Sequence, residues 1–99
     1  MTVAVTHNAA RQRFEATVEG RQCMAEYQLR GDVVWMTQTS VPPAVGGRFV
    51  AAELVRVALV WAKEKGYKVE PACSYVEVYM QRHPETRTLL ARRPTVLPY

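Results

Sequence analysis

Residues 41–73 read VPPAVGGRFVAAELVRVALVWAKEKGYKVEPAC, and this stretch decides the fold. Pro42-Pro43 ends whatever strand precedes it, because proline cannot donate to a ladder. Val45-Gly46-Gly47-Arg48 then forms a glycine loop, and a helix of about four turns is predicted over 49–65. Apolar residues recur at Val50, Leu54, Val57 and Trp61, and again at Ala51, Val55, Ala58, Leu59 and Ala62. Glu53, Arg56, Lys63 and Glu64 are left for the opposite side, the pattern of a helix laid on a core. Gly66 is placed to close the helix in the left-handed conformation, with Lys63 and Lys65 suited to the dipole's negative end. Tyr67 to Glu70 alternates as a short strand, ended by Pro71.

Strand, glycine loop, helix and returning strand make a βαβ unit, with parallel strands and a right-handed crossover. Its helix N-terminus offers free N–H groups and the positive end of a dipole, a site suited to phosphate or pyrophosphate. For a bare Gly-Gly pair the more ordinary role is to turn the chain after two prolines, so spacing alone leaves both readings open.

Working outward, Phe14, Ala16 and Val18 alternate with Glu15, Thr17 and Glu19, a half-buried strand over 13–19. Glu19-Gly20 is a turn. Cys23, Ala25, Tyr27 and Leu29 form the apolar side of a second strand over 22–30. Gly31-Asp32 fits a tight hairpin with glycine first. The third strand, 33–41, begins apolar on both sides and belongs in the sheet interior. Val3 and Val5 suggest a short edge strand, followed by a turn at His7-Asn8-Ala9-Ala10. The fold class is therefore α+β: an antiparallel meander plus a βαβ unit with one parallel strand, helices packed on the sheet.

After Cys73, Ser74-Tyr75-Val76-Glu77 has the capping-box pattern, which assigns Glu77 a structural role. The helix it opens ends by His83, since Pro84 restricts the residue before it, and Pro84 can start a last short helix. Arg92 to Tyr99 holds two prolines and is expected to be a loose tail.

Ninety-nine residues, 48% hydrophobic and 22% charged, suit one globular domain spanning 1–99. Nothing approaches membrane-spanning length, and no basic region precedes an apolar stretch at the N-terminus, so neither a membrane segment nor a signal peptide is expected. Cys23 and Cys73 form neither a disulfide framework nor a metal-binding spacing, which points to a reducing cytoplasm and to no metal. The net charge of +4 is mild and scattered. It reads as solvated surface before nucleic acid, yet it favours an anionic ligand.

The order of elements and several motifs resemble the small, single-domain members of the GNAT-type N-acetyltransferase superfamily, which bind acetyl-CoA. The resemblance rests on His7-Asn8 with Arg13-Phe14-Glu15, on Thr39-Ser40-Val41-Pro42, and on the glycine loop with its helix. It rests above all on Pro71-Ala72-Cys73-Ser74-Tyr75-Val76 followed by His83-Pro84-Glu85. It implies acetyl-CoA between the third strand and the strand at 67–71, with its pyrophosphate on the first helix N-terminus. The implied cofactor-binding residues are Ser40, Val41, Gly46, Gly47, Arg48, Phe49, Val50, Ala51, Ala52, Cys73 and Tyr75. The family loop has Gln or Arg, then glycine three residues on, then Gly or Ala; those positions carry Gly46, Phe49 and Ala51 here. Only Ala51 conforms, and a ring at 49 stands where the family presents bare backbone. On this reading Phe49→Gly tightens CoA binding.

Cys73 is the implied catalytic residue, either a transient acyl carrier or a polar contact to the thioester. Small members carry a cysteine there, and a helix N-terminus favours thiolate over thiol. Packing of a small apolar group against the helix start fits the same position. Tyr75 and Tyr79 are candidate proton donors to the departing thiolate, with core packing as the simpler role. His83 lies roughly 15 Å from Cys73 by helical rise, which argues against a Cys–His pair. For His7 and His83 structural hydrogen bonding is expected, and Cys23 reads as packing. Two function classes follow. One is an acetyl-CoA-dependent N-acetyltransferase acting on an amine acceptor; the alternative is a non-catalytic GNAT-like binding or regulatory module with a degenerate CoA loop.

Overall fold

A computed structural model describes residues 3–43 and 47–91, with the backbone alone at 47 and 48. Gly46 and the tail 92–99 lie outside the described residues, and so do the expectations placed on them. Five strands form one sheet in the order β1-β2-β3-β4-β5: Thr6–Asn8, Arg13–Val18, Arg21–Arg30, Val33–Ser40 and Lys68–Pro71. Helix α1 spans Gly47–Lys65, helix α2 spans Ser74–Arg82, and a 3-10 helix follows at Pro84–Leu89.

The first four strands are antiparallel and β5 joins β4 in parallel, as the alternation and the βαβ pattern require. Val18 pairs with Arg21 around Glu19-Gly20, both at positive φ, so this hairpin closes with the twist the strands need. Arg30 pairs with Val33 around Gly31, whose φ is 63°. Inward-facing Phe14, Ala16, Cys23, Ala25, Tyr27, Val34, Met36 and Val69 meet Val50, Leu54, Val55, Ala58 and Ala62 of α1 in one core. Val76 and Met80 extend it from α2. Each fully buried Val or Leu contributes about 1.5–3 kcal/mol, so the faces of α1 and the sheet hold each other.

Two expectations are corrected. The edge strand is Thr6–Asn8 and not the segment at Val3 and Val5. Val3 is buried in the core without strand pairing. The pairing is set instead by the turn: Asn8 Oδ1 accepts from Arg11 N, and Gln12 takes a left-handed φ of 53° that starts β2. Nor does the capping box form. Cys73 is the N-cap of α2, with no side-chain cap, and Glu77 N donates to Cys73 O at 3.1 Å. Ala72 N is tied to Met36 O at 3.1 Å and to Glu70 O at 3.0 Å, so the chain stays on the sheet until Cys73. Ser74 thereby becomes the first helical residue and not the cap.

Candidate active site

Strands β4 and β5 pair only from Val33–Lys68 to Met36–Pro71. Strand β4 runs on through Thr37, Gln38, Thr39 and Ser40 past the end of β5. The parting has a local cause. Glu26 pairs with Gln38 but Tyr27 pairs with Met36, so Thr37 is an extra residue on β4. Such a bulge bends its strand and sharpens the twist. It falls one residue beyond the last β4–β5 pair, and Thr37 Oγ1 donates back to Glu26 O at 3.3 Å.

Because β4 and β5 are parallel, the helices that follow them both begin at the same end of the sheet. The N-termini of α1 and α2 therefore flank the parting, each with first-turn N–H groups that no helical carbonyl accepts. The arrangement suits an extended ligand that carries anionic groups and lies where parallel strands diverge.

Cys73 is half-buried at the start of α2. Its Sγ lies 3.9 Å from Thr39 Oγ1 on β4, so the two side chains face each other across the parting. The thiol makes no capping bond. Of the other residues singled out in the sequence, Ser40 ends β4 exposed, and Val41 packs partly buried against the core. Gly47 opens α1. Val50 is fully buried and Ala51 nearly so; their side chains belong to the core, leaving only backbone for a ligand.

Phe49, in the first turn of α1, faces a groove. Its ring is 50% exposed and lines this groove of about 390 Å³ between α1 and α2. Phe49 and Ala52 form one wall, Tyr75, Val78, Tyr79 and Arg82 the other, and His83 closes the far end. Tyr75 thus ties the groove to the parting, two residues from Cys73. A second groove begins on the far side of Tyr79, between Arg56, Val60 and Lys63 of α1 and Glu85, Thr86 and Leu89.

Tyr79 and Tyr75 therefore line the groove. Burial pushes the Tyr79 hydroxyl above the ordinary phenol range, so it remains protonated at neutral pH. His83 stacks on Tyr79 with ring centroids 4.0 Å apart, and its Nδ1 lies 2.8 Å from Tyr79 O, at the opposite end of α2 from Cys73. His7 is likewise structural. Its Nε2 shares a hydrogen bond of 2.6 Å with the Tyr27 hydroxyl, and its ring stacks on Phe14 at 4.2 Å. Cys23 is fully buried, and burial pushes its thiol up, the environment of a packing residue. Two features escaped the sequence reading: the approach of the Thr39 side chain to Cys73, where the motif points only to the backbone of 39–41, and Arg82. The latter left a trace, since Tyr75, Val78, Tyr79 and Arg82 share one helix face at spacings of three and four.

Residues 13–89 match the family model of the GCN5-related N-acetyl-transferases. No curated protein matches the chain. The match covers most of the 99 residues, and the chain belongs to the GCN5-related N-acetyltransferase family.

Proposed function

We propose that the protein transfers an acetyl group from acetyl-CoA to an amine. The observation that carries this is Cys73, on the N-terminus of α2, facing Thr39 where β4 leaves β5. The backbone edge of β4 at Thr37 to Ser40, which β5 does not pair, suits the amide-bearing arm of the thioester. The first turn of α1 suits its pyrophosphate. Gly47 brings backbone to that turn without a Cβ.

In this reading the Cys73 thiolate attacks the thioester carbonyl carbon. The carbon–sulfur bond to CoA breaks, and the CoA sulfur leaves and takes up a proton. The acceptor's neutral amine then attacks the acetyl-Cys73 carbonyl, the bond to Sγ breaks, and the amine's proton passes to solvent. Positioning of the two reactants supplies much of the rate. A cytoplasmic setting belongs to this reading; among the described residues no helix is long and apolar enough to cross a membrane.

The loop positions Gly46 and Phe49, which depart from the family pattern, favour the second reading, a binding or regulatory module. Release of CoA thiol from acetyl-CoA, followed in the presence of a panel of primary amines, separates the two. Amine-dependent release is the expected result. Binding of acetyl-CoA without release by any amine points to the module.

A further inference from the structure

The bulge at Thr37 decides which side chain meets the thiol. Before the bulge, Val34 and Met36 are the core-facing residues of β4. Unbroken alternation would continue that inward set through Gln38 and Ser40 and turn Thr39 outward. The extra residue reverses the order. Thr39 pairs with the fully buried Ala25 and shares its face, while Gln38 and Ser40 are exposed. Thr39 is half-buried there, with Oγ1 at 3.9 Å from Cys73 Sγ, within reach of a hydrogen bond to sulfur.

Both partners are held by backbone. Thr39 sits in the β3–β4 ladder, and Cys73 follows Ala72, whose N donates to Met36 O at 3.1 Å. The hydroxyls of Thr37, Thr86 and Thr88 donate to backbone carbonyls. That of Thr39 takes up the thiol instead. A hydroxyl has one donor and two acceptor positions and rotates to suit its partner. It accepts from a neutral thiol and donates to a thiolate. The second contact is the stronger, because the sulfur then carries charge.

We propose that Thr39 is the positioning residue of Cys73, its hydroxyl donating to Sγ whenever that sulfur is anionic. This rests on the acyl-carrier reading of the proposed function and adds a residue to it. Sγ is anionic twice in the transfer: before it attacks the thioester carbonyl, and when the amine displaces it from the acetylated cysteine. The thiol proton goes to solvent before the first attack, and Thr39 keeps its own proton throughout.

Thr39→Val removes the hydroxyl and keeps a branched side chain suited to a strand, and Thr39→Ser keeps the hydroxyl. Two readouts test them. One is kcat with a primary amine, beside the calorimetric affinity for CoA. The other is alkylation of Cys73 by iodoacetamide across pH, with no cofactor present; Cys23 is fully buried, so the reagent reads Cys73. Thr39→Val is expected to lower kcat about tenfold, the loss of one hydrogen bond to a charged group, with CoA affinity unchanged. Its alkylation profile moves to higher pH, and Thr39→Ser stays close to wild type in both readouts. An alkylation profile of Thr39→Val that coincides with that of wild type overturns the proposal, and so does Thr39→Ser behaving as Thr39→Val does. In those cases acetyl transfer by wild type still stands. If wild type transfers nothing while the alkylation profiles differ, the transfer reading falls and the contact of Thr39 with the anionic sulfur stands. Thr39→Ala, which also removes the hydroxyl, makes the same comparison if Thr39→Val does not fold.

Discussion

Cys73 Sγ and Thr39 Oγ1 lie 3.9 Å apart although they belong to different strands' ends, one at the cap of α2 and the other near the end of β4. The bulge at Thr37 makes the meeting possible, because it turns β4 away from β5 just beyond the last ladder pair. The gap it leaves is bordered by a thiol, a hydroxyl and the β4 backbone beyond the last β4–β5 pair, next to the N-termini of two helices.

Replacing Cys73 with alanine separates chemistry from packing. The thiol is half-buried and makes no cap, so Cys73→Ala is expected to move stability by within about 1 kcal/mol. Acetyl transfer should fall at least tenfold, and the acetylated protein seen by mass spectrometry after mixing with acetyl-CoA should disappear. Unchanged transfer rules out the acyl carrier. A large drop in melting temperature assigns Cys73 to packing.

Gly66 closes α1 at a φ of 76°, with Tyr67 N donating to Ala62 O at 2.9 Å and Gly66 N to Lys63 O at 3.1 Å. This is the paired bonding of a Schellman cap. A Cβ there meets nothing within 4 Å, so Gly66→Ala carries only the backbone penalty. Denaturant unfolding is expected to show a loss of about 1 kcal/mol. No loss, or a loss of several kcal/mol, contradicts the open cap.

His7 predicts a pH dependence. It is hydrogen-bonded to the Tyr27 hydroxyl, stacked on Phe14 and edge-on to Trp61 at 4.7 Å, with Lys65 nearby. Burial first, then the Lys65 charge, lowers its pKa from 6.5. The unfolded chain therefore binds the proton more readily, and stability falls as pH drops below 6.5 towards the lowered value. His7→Gln is expected to flatten that part of the profile, measured as denaturation midpoint against pH. Parallel profiles for the two proteins exclude the effect.

Much of the fold is written in local pattern. Alternation in Phe14, Ala16 and Val18 and in Cys23, Ala25 and Tyr27 specifies β2 and β3, because the period of a strand puts each set on one face. The stripe from Val50 to Ala62 and the glycine after Lys65 specify α1, and α2 runs over 74–82 as its spacing predicts. What escapes local pattern depends on distant pairing. The edge strand falls at Thr6–Asn8 because a turn capped by Asn8 sets the register, against the pull of Val3 and Val5. The Thr37 bulge is a mismatch between β3 and β4, invisible in either strand alone. The cap at Cys73 depends on Ala72 being tied to Met36 across the sheet. Of the candidate site, Cys73 is legible as part of a motif, while Val45 and Gly46 of the glycine loop lie outside the described residues. The outward turn of Phe49 is legible only once α2 stands beside it.

Titration of acetyl-CoA into the pure protein at low salt tests acetyl-CoA use most directly. Saturable binding at one site per chain, weakened by added salt as a phosphate-bearing ligand requires, is the predicted result. No heat of binding and no competition by CoA at millimolar ligand contradict it.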